Sequence, residues 1–289
     1  MNQDDFSRCH PAVNFLFFVL AIIFGAVVQH PAYTAAGVVS GGIYSCVLHG
    51  RRGLRRILGM LPLFFLIALI NPVINTSGKR VLFLFLNRPY TWEALCFGLS
   101  LGGIFLTMLL WFGCYSTVMT SDKFTSLFGS LIPSLSLLLV MVLRMIPGFT
   151  RKAETITGAR KTIGKGAAQS GSLSGKVKGG MTVLSALTTW ALEGSIITAD
   201  SMRARGYGCG RRTLFRRARF TGRDGVLVFL MGLLTAGVMI AGGMEASFTP
   251  VMKVPPIGWG FFLYCALLLL PTVYDIKEGI AWRISRSGI

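Results

Sequence analysis

Long apolar runs constrain the fold of this chain more than any other feature of its sequence. A transmembrane helix needs about 20 mostly apolar residues, and six runs approach or exceed that length. They cover residues 12–28, 32–49, 57–74, 93–119, 225–242 and 257–273. The runs are continuous and lack the alternation of apolar and polar residues that is typical of membrane β-barrels. We therefore predict an all-α, polytopic membrane helix bundle.

The composition excludes the other broad classes of protein. The 289 residues are 53% hydrophobic and 14% charged, whereas a soluble domain carries about a quarter charged residues. The same composition excludes a collagen-like, disordered or disulfide-stapled chain. Six cysteines occur, but none forms a CxxC pair. We therefore predict neither a metal site nor a disulfide framework.

The distribution of charge predicts which side of the membrane the loops occupy. The chain has 29 Lys and Arg residues against 11 Asp and Glu, a net charge of +18. In a soluble protein this excess would point to nucleic acid, but in a membrane protein it marks cytosolic loops. Two basic stretches, residues 51–56 and 150–223, are therefore predicted to be cytosolic, and no nucleic-acid partner is expected.

One further apolar run, residues 127–143, needs a separate interpretation. If it crossed the membrane, the basic stretch 150–223 would lie outside, against the positive-inside rule. We predict that the run lies at the cytosolic interface; an ordinary seventh span with inverted topology is the alternative. The predicted organisation is a four-span bundle in 1–123, cytosolic or interfacial helices in 124–222, and two spans with a cytosolic C-terminus in 223–289.

The cytosolic block is predicted to contain three helices. Pro147 should end the first, and the second should cover about residues 149–163. A stretch rich in Gly, Ser and Lys, residues 164–180, is typical of a flexible connection. The third helix should cover about residues 181–205 and end at Gly206, since glycine commonly follows the last residue of a helix.

Motifs for chemistry on a substrate are absent from the sequence. The stretch from Gly158 to Gly166 resembles a phosphate-binding P-loop, but five residues instead of four separate its first two glycines. His10, His30 and His49 lie at the ends of the first two runs, where we predict that they cap helices. No acidic residue lies near the middle of a run, as ion-coupled pumps usually require. We predict a protein that is not an enzyme, has no nucleotide site and needs no cofactor.

The most informative segment contains Ala204, Arg205 and Gly206, at the predicted end of the third cytosolic helix. The helix dipole favours a cation there, and Gly206 turns the chain away so that the guanidinium can project. A second pair, Ala159 and Arg160, lies near the end of the preceding helix. Two presented arginines would suit acidic grooves on other subunits, because arginine binds carboxylates bidentately. A solvated basic face beneath anionic lipid explains the spacing equally well.

Several short motifs together carry a resemblance to a known family. In chain order they are His10-Pro11, Asn71-Pro72, the Arg-x-x-Pro of Arg144 to Pro147, and Ala204-Arg205-Gly206-Tyr207. Over most of its length the chain resembles the T component of energy-coupling factor (ECF) transporters, the family that includes the transmembrane subunit of cobalt importers. The family's first Ala-Arg-Gly or Ala-Arg-Ser signature reads Ala159-Arg160-Lys161 here, so the arginine is kept and the small residue is not.

The resemblance implies a subunit of a bacterial or archaeal plasma membrane that joins two ABC-type ATPases to a substrate-binding S component. Vitamins or transition-metal ions such as cobalt would be imported, and the S component, not this chain, would select the substrate. The resemblance also implies that long cytosolic coupling helices present Arg160 and Arg205, one to each ATPase.

Two other classes of protein remain as alternatives. A conventional ABC permease or channel would carry its own substrate path and usually docks each ATPase by one short helix between spans. A membrane enzyme of lipid or prenyl-protein chemistry would need a catalytic constellation that the sequence lacks. Neighbouring genes for ATPases and for a small hydrophobic S-type protein would distinguish the ECF interpretation from both.

Overall fold

The computed structural model describes residues 6–75, 81–85, 88–129, 133–164, 172–210, 220–242 and 255–287. A short 3-10 turn, Phe6–Arg8, precedes the first helix. The helices are α1 (Pro11–Val27), α2 (Pro31–His49), α3 (Arg51–Ile74), α4 (Trp92–Val118), α5 (Ser121–Gly129), α6 (Pro133–Thr162), α7 (Leu173–Ala204), α8 (Gly222–Ala241) and α9 (Trp259–Ser287). The prediction of a helical membrane bundle is confirmed.

A small β-hairpin between α3 and α4 departs from the all-helical prediction. It consists of β1 (Val81–Phe85) and β2 (Arg88–Thr91), which pair antiparallel. Val and Phe in β1 favour an extended conformation. Thr91 then caps α4, since its hydroxyl accepts a hydrogen bond from the Ala94 N–H at 3.4 Å.

The chain divides into two compact units. Unit 1 comprises Met1–Phe124 and Ala218–Ile289 and contains α1 to α4, α8 and α9; unit 2 comprises Thr125–Arg217 and contains α6 and α7. The boundaries of unit 2 lie close to those of the predicted block 124–222. The cytosolic position of that block stays a prediction.

Among the described residues, four helices of unit 1 are long and apolar enough to cross a membrane: α3, α4, α8 and the Trp259–Lys277 part of α9. They coincide with four of the six predicted spans. α1 is apolar but has only 17 residues. α2 carries Thr34, Ser40 and Ser45 as buried polar residues and is therefore less apolar than the other predicted spans. The protein is a multi-pass membrane protein.

Contacts between helix termini show where the chain of unit 2 is inserted. Lys123, which follows α4, donates a hydrogen bond to the Ser7 carbonyl just before α1. The His10 N–H, also before α1, donates to Asp224 in the first turn of α8 at 3.2 Å. The end of α4 and the start of α8 therefore lie at the same end of unit 1.

The histidines occupy helix ends, as predicted. The Nδ1 atoms of His10 and His30 accept hydrogen bonds from backbone N–H groups two residues ahead, at 3.2 and 3.1 Å, and so cap α1 and α2. His49 is the last residue of α2, and its Nε2 lies 3.2 Å from Thr117 Oγ1 and 2.7 Å from a guanidinium nitrogen of Arg56. All three histidines thus have structural contacts.

Aromatic rings form the centre of unit 1. Phe17, Phe18, Tyr44 and Trp111 are fully buried. Trp111 stacks on Tyr44 with ring centroids 6.0 Å apart and meets Phe17 edge to face at 5.5 Å. Such pairs contribute about 0.5–1.5 kcal/mol each beyond the burial of their area. This cluster ties α1, α2 and α4 together.

α3 and α4 approach closely because small residues lie between them. A Cβ atom placed on Gly98 would lie 2.7 Å from the Ala68 carbonyl oxygen, and one on Gly102 would lie 3.0 Å from that of Phe64. Membrane helices gain little from hydrophobic burial against each other, so close contact through glycine is a main source of their association.

Two expectations for the helices of unit 2 are wrong. α6 continues unbroken past Pro147, since the helical bonds on both sides outweigh the single bond that proline removes. α7 begins at Leu173 rather than near residue 181, and its early part packs against α6, where a Cβ atom on Gly179 would lie 3.6 Å from the Arg160 guanidinium. Of the predicted flexible connection, residues 165–171 lie outside the described residues.

Candidate partner-docking site

The two long helices of unit 2 contact each other through an aromatic pair. The rings of Phe149 on α6 and Trp190 on α7 meet edge to face, with centroids 5.6 Å apart and an interplanar angle of 84°. The Lys152 ammonium lies 5.7 Å from the centroid of the Trp190 ring, within the range of a cation–π interaction. Trp190 therefore anchors α7 on α6.

A second contact establishes the direction of the helices and the position of Arg160. A Cβ atom on Gly179 would lie 3.6 Å from a guanidinium nitrogen of Arg160. Phe149 contacts Trp190, whereas Arg160, later in α6, lies beside Gly179, earlier in α7. The two helices are therefore antiparallel. From Gly179, α7 continues 26 residues to Arg205, about 39 Å at the usual rise. Arg160 and Arg205 therefore lie far apart along α7.

The Arg205 end has a well-formed helix stop. The Tyr207 N–H donates to the Met202 carbonyl and the Gly206 N–H to the Arg203 carbonyl, both at 3.0 Å. This is the Schellman pattern, which requires a left-handed residue, and Gly206 supplies it with φ +75°. The prediction that Gly206 ends the helix is confirmed, and Arg205 beside it is exposed.

The Arg160 end is built differently. Ala159 is exposed, whereas Arg160 is half-buried against α7. Gly164, with φ +74°, follows the end of α6. The structure therefore places the five predicted residues in two separate groups, Ala159 with Arg160 and Ala204 with Arg205 and Gly206, and it brings no member of one group to the other.

Charge on the described part of unit 2 is strongly one-sided. Residues 125–129, 133–164 and 172–210 contain nine Lys and Arg residues and three Asp and Glu residues. Such an excess attracts acidic surfaces over distances of about 8–10 Å at physiological salt. The arginine ends therefore lie in a field that favours an acidic partner.

An apolar stripe on α7 was missed by the sequence analysis. No residue of α7 is buried, and Val177, Leu184, Leu192 and Ile196 are each more than half exposed, at 63%, 57%, 63% and 64%. The spacings of seven, eight and four residues along this stripe are a helical signal that could have revealed it.

The P-loop-like stretch and the possible metal ligands give no further site. Gly158 lies inside α6, so the residues up to Thr162 are helical rather than a loop between a strand and a helix. Within the described ranges, no three His, Cys, Asp or Glu side chains form a group that could hold a metal ion.

Comparison with known proteins identifies the family of the chain. The sequence model of the CbiQ family, described as cobalt transport protein, matches residues 3–214. This match includes α1 to α7 and both arginine groups, and it ends before α8. No curated protein matches the chain. Because the family match covers well over half of the 289 residues, the chain belongs to the CbiQ cobalt transport protein family, the family of the T components of ECF transporters.

Proposed function

We propose that this protein is the membrane coupling subunit of an ECF-type importer in a bacterial or archaeal plasma membrane. It links two cytosolic ABC-type ATPases to a substrate-binding S component. Cobalt, which the family description names, is the first cargo to test, and vitamins are the second class. The observation that carries the proposal is the placement of Arg160 and Arg205 about 39 Å apart along one antiparallel helix pair.

This separation supports two docking contacts rather than one. A single acidic groove cannot reach both guanidinium groups at such a distance, whereas two ATPase subunits offer two grooves. Each arginine can bind a carboxylate through two parallel hydrogen bonds, which fixes orientation as well as position. The basic excess of unit 2 adds attraction to acidic surfaces before contact is made.

The insertion of unit 2 supports a cytosolic position for the docking helices. The end of α4 and the start of α8 lie at the same end of unit 1. The chain between them therefore crosses the membrane an even number of times or not at all. Its positive charge favours the cytosolic side, where the ATPases and ATP are found.

The helix pair suits the transmission of movement. When the ATPases close on ATP, each would displace the arginine end that it holds. α6 and α7 contact each other through Trp190 and Arg160, so a displacement of one helix is passed to the other. The exposed apolar stripe of α7 supports contact with a further apolar surface, on the S component or at the lipid interface.

Co-purification with substituted arginines tests the docking proposal. With a tagged chain, both ATPases should co-purify with the native sequence, and Arg205→Ala should weaken their association by roughly 2–5 kcal/mol, since a carboxylate is left unpaired. Arg160→Ala should have a smaller effect, because neighbouring Lys161 can supply a second contact. Arg203→Ala is the matched control, as Arg203 is an exposed arginine in the same last turn of α7.

Equal effects of Arg205→Ala and Arg203→Ala would contradict the proposal and leave only a general basic face. Co-purification of ATPases without any S-type protein, together with cobalt uptake by the chain and ATPases alone, would favour a conventional ABC permease instead. Uptake of radioactive Co²⁺ by cells that express the complete set of subunits gives the functional readout.

Labelling of Ser172→Cys tests the cytosolic position of unit 2. Ser172 is exposed and immediately precedes α7, so a cysteine there should react with a membrane-impermeant reagent only in broken cells. The six native cysteines are replaced first. Labelling from outside intact cells would overturn the proposed topology.

A further inference from the structure

The N-terminal segment Phe6–His10 contacts residues of unit 1 that come just before and shortly after unit 2 in the chain. Lys123, just before unit 2, donates a hydrogen bond to the Ser7 carbonyl. Asp224, shortly after unit 2, accepts a hydrogen bond from the His10 N–H at 3.2 Å. The two roots of unit 2, defined here as Lys123 and Asp224, thus bind one short segment.

The segment is itself fixed to the bundle. Phe6 is fully buried and meets Phe17 of α1 edge to face at 5.5 Å. The Phe6 N–H donates to Asp275 Oδ1 of α9 at 2.9 Å. The side-chain amide of Asn14 on α1 donates to the Ser7 carbonyl at 3.2 Å. Residues 6–10 therefore connect both roots to α1 and α9.

The hydrogen bonds at both roots join a charged side chain to backbone groups. Lys123 also donates to the Val118 carbonyl at 2.9 Å, and burial lowers the pKa of its ammonium group. Asp224 is buried, and its two oxygens accept from two backbone N–H groups. Hydrogen bonds to ionised groups away from bulk water are stronger than neutral ones. Ser7 and His10 are three residues apart, so their backbone spans at most about 11 Å.

We propose that residues 6–10 form a bracket that holds the two roots of unit 2 at a fixed separation, with Lys123 and Asp224 as its positioning residues. This inference rests on the proposed coupling function. Displacement of α6 and α7 by the ATPases reaches unit 1 through its two roots. When the hydrogen bonds of Lys123 and Asp224 to residues 6–10 are intact, both roots move together with α1 and α9. When these bonds are broken, each root moves separately and the displacement is not passed on to unit 1.

A purely local role for Asp224 is the main alternative. Its Oδ2 accepts from the Thr221 N–H at 2.9 Å, and together with the Thr221 side chain it forms a capping box for α8. Thr221→Ala weakens this box but leaves the contact with His10, and Asp224→Asn removes one of the two acceptors. Comparison of the two variants separates the cap from the bracket.

Distance measurement between spin labels tests the bracket without any partner. Labels are placed by Asp122→Cys and Gly222→Cys in the purified full chain, because both positions are exposed and a Cβ on Gly222 meets no atom within 4 Å. A narrow distance distribution is expected. Lys123→Met and Asp224→Asn should each raise the population of longer distances about tenfold, as expected for loss of a hydrogen bond to a charged group.

Three controls make this result decisive. Lys277→Met removes an exposed lysine of α9, and Thr221→Ala weakens only the cap, so both should leave the distribution narrow. Lys123→Arg keeps donors for both hydrogen bonds of Lys123 and should give the narrow distance distribution of the native chain. Unchanged distances in Lys123→Met, or broadening in Thr221→Ala equal to that in Asp224→Asn, would overturn the bracket.

The complete transporter then tests the coupling role. In Lys123→Met and Asp224→Asn, both ATPases should still co-purify, while Co²⁺ uptake per ATP hydrolysed falls about tenfold. Unchanged uptake per ATP would overturn the role of the bracket in coupling. Failure of the docking proposal can be recognised separately. Arg205→Ala would then leave co-purification of the ATPases unchanged, whatever the spin-label distances show.

Discussion

Unit 1 and unit 2 both contain long apolar helices, but among the described residues only those of unit 1 include fully buried large side chains. Trp111, Phe17 and Phe18 in unit 1 are 0% exposed. In unit 2, α7 has no buried residue, and its contact with α6 depends on the half-buried Trp190 and Arg160. The difference indicates that unit 1 keeps its shape by its own contacts, whereas unit 2 needs other surfaces to cover its apolar stripe.

The same substitution in each unit should give the largest contrast. Trp111→Ala should lower the free energy of unfolding by about 3–5 kcal/mol, since it leaves a cavity among aromatic rings. Trp190→Ala should cost about 1–2 kcal/mol, the loss of one aromatic pair and one cation–π contact. Thermal unfolding of the purified chain in detergent measures the first effect, and backbone hydrogen exchange in α6 and α7 measures the second.

Equal losses of thermal stability in the two tryptophan variants would contradict the contrast between the units. Faster exchange throughout α1 and α4 in Trp190→Ala would do the same, because it would show that unit 1 depends on unit 2 for its packing. Trp259→Ala is the control, since this tryptophan is 86% exposed and its removal should change little.

Glycine substitutions should shift stability in opposite directions in the two units. Gly98→Ala places a Cβ 2.7 Å from the Ala68 carbonyl, so α3 must move away from α4 at a cost of about 1–3 kcal/mol. Gly180→Ala meets no atom within 4 Å and should stabilise α7 by up to about 1 kcal/mol through helix propensity. Thermal unfolding checks the destabilisation by Gly98→Ala, and hydrogen exchange of α7 checks the stabilisation by Gly180→Ala. Destabilisation of α7 by Gly180→Ala would contradict the contrast, because it would show that position 180 packs against another group.

The most local effect should come from the turn beside Arg205. Gly206→Ala forces an L-residue into a left-handed conformation, φ +75°, at a cost of about 1–2 kcal/mol. The Gly206 and Tyr207 N–H groups should then exchange faster, and ATPase co-purification should weaken moderately. Gly210→Ala is the matched control, because Gly210 lies in the same loop without a positive φ. Equal exchange in both variants would show that the turn does not hold the end of α7.

Local patterns were sufficient to predict the helical class and the helix stop at Gly206. The stop at Gly206 follows from the freedom of glycine at positive φ, which is a property of one residue. The hairpin at 81–91 and the start of α7 at Leu173 were missed. In both places weak local preferences compete, and the outcome depends on neighbouring elements.

Glycine content misled the interpretation of α7 in particular. Gly175, Gly179 and Gly180 suggested a flexible connection, because each glycine costs about 1 kcal/mol in a helix. The contact of Gly179 with Arg160 joins two helices, and nothing in either helix alone encodes it.

The sequence by itself determined that this chain is a helical membrane protein with a basic insertion. The preference of each side chain for lipid or water depends on its own hydropathy and charge, so it can be read from the residue type. Only the tertiary structure decided that Arg160 and Arg205 lie at separate ends of an antiparallel pair, and that Lys123 and Asp224 meet at residues 6–10. These placements depend on how helices distant in sequence pack, which is set by contacts such as Phe149 with Trp190 and Phe6 with Phe17. Such contacts arise between surfaces that exist only once the helices have formed.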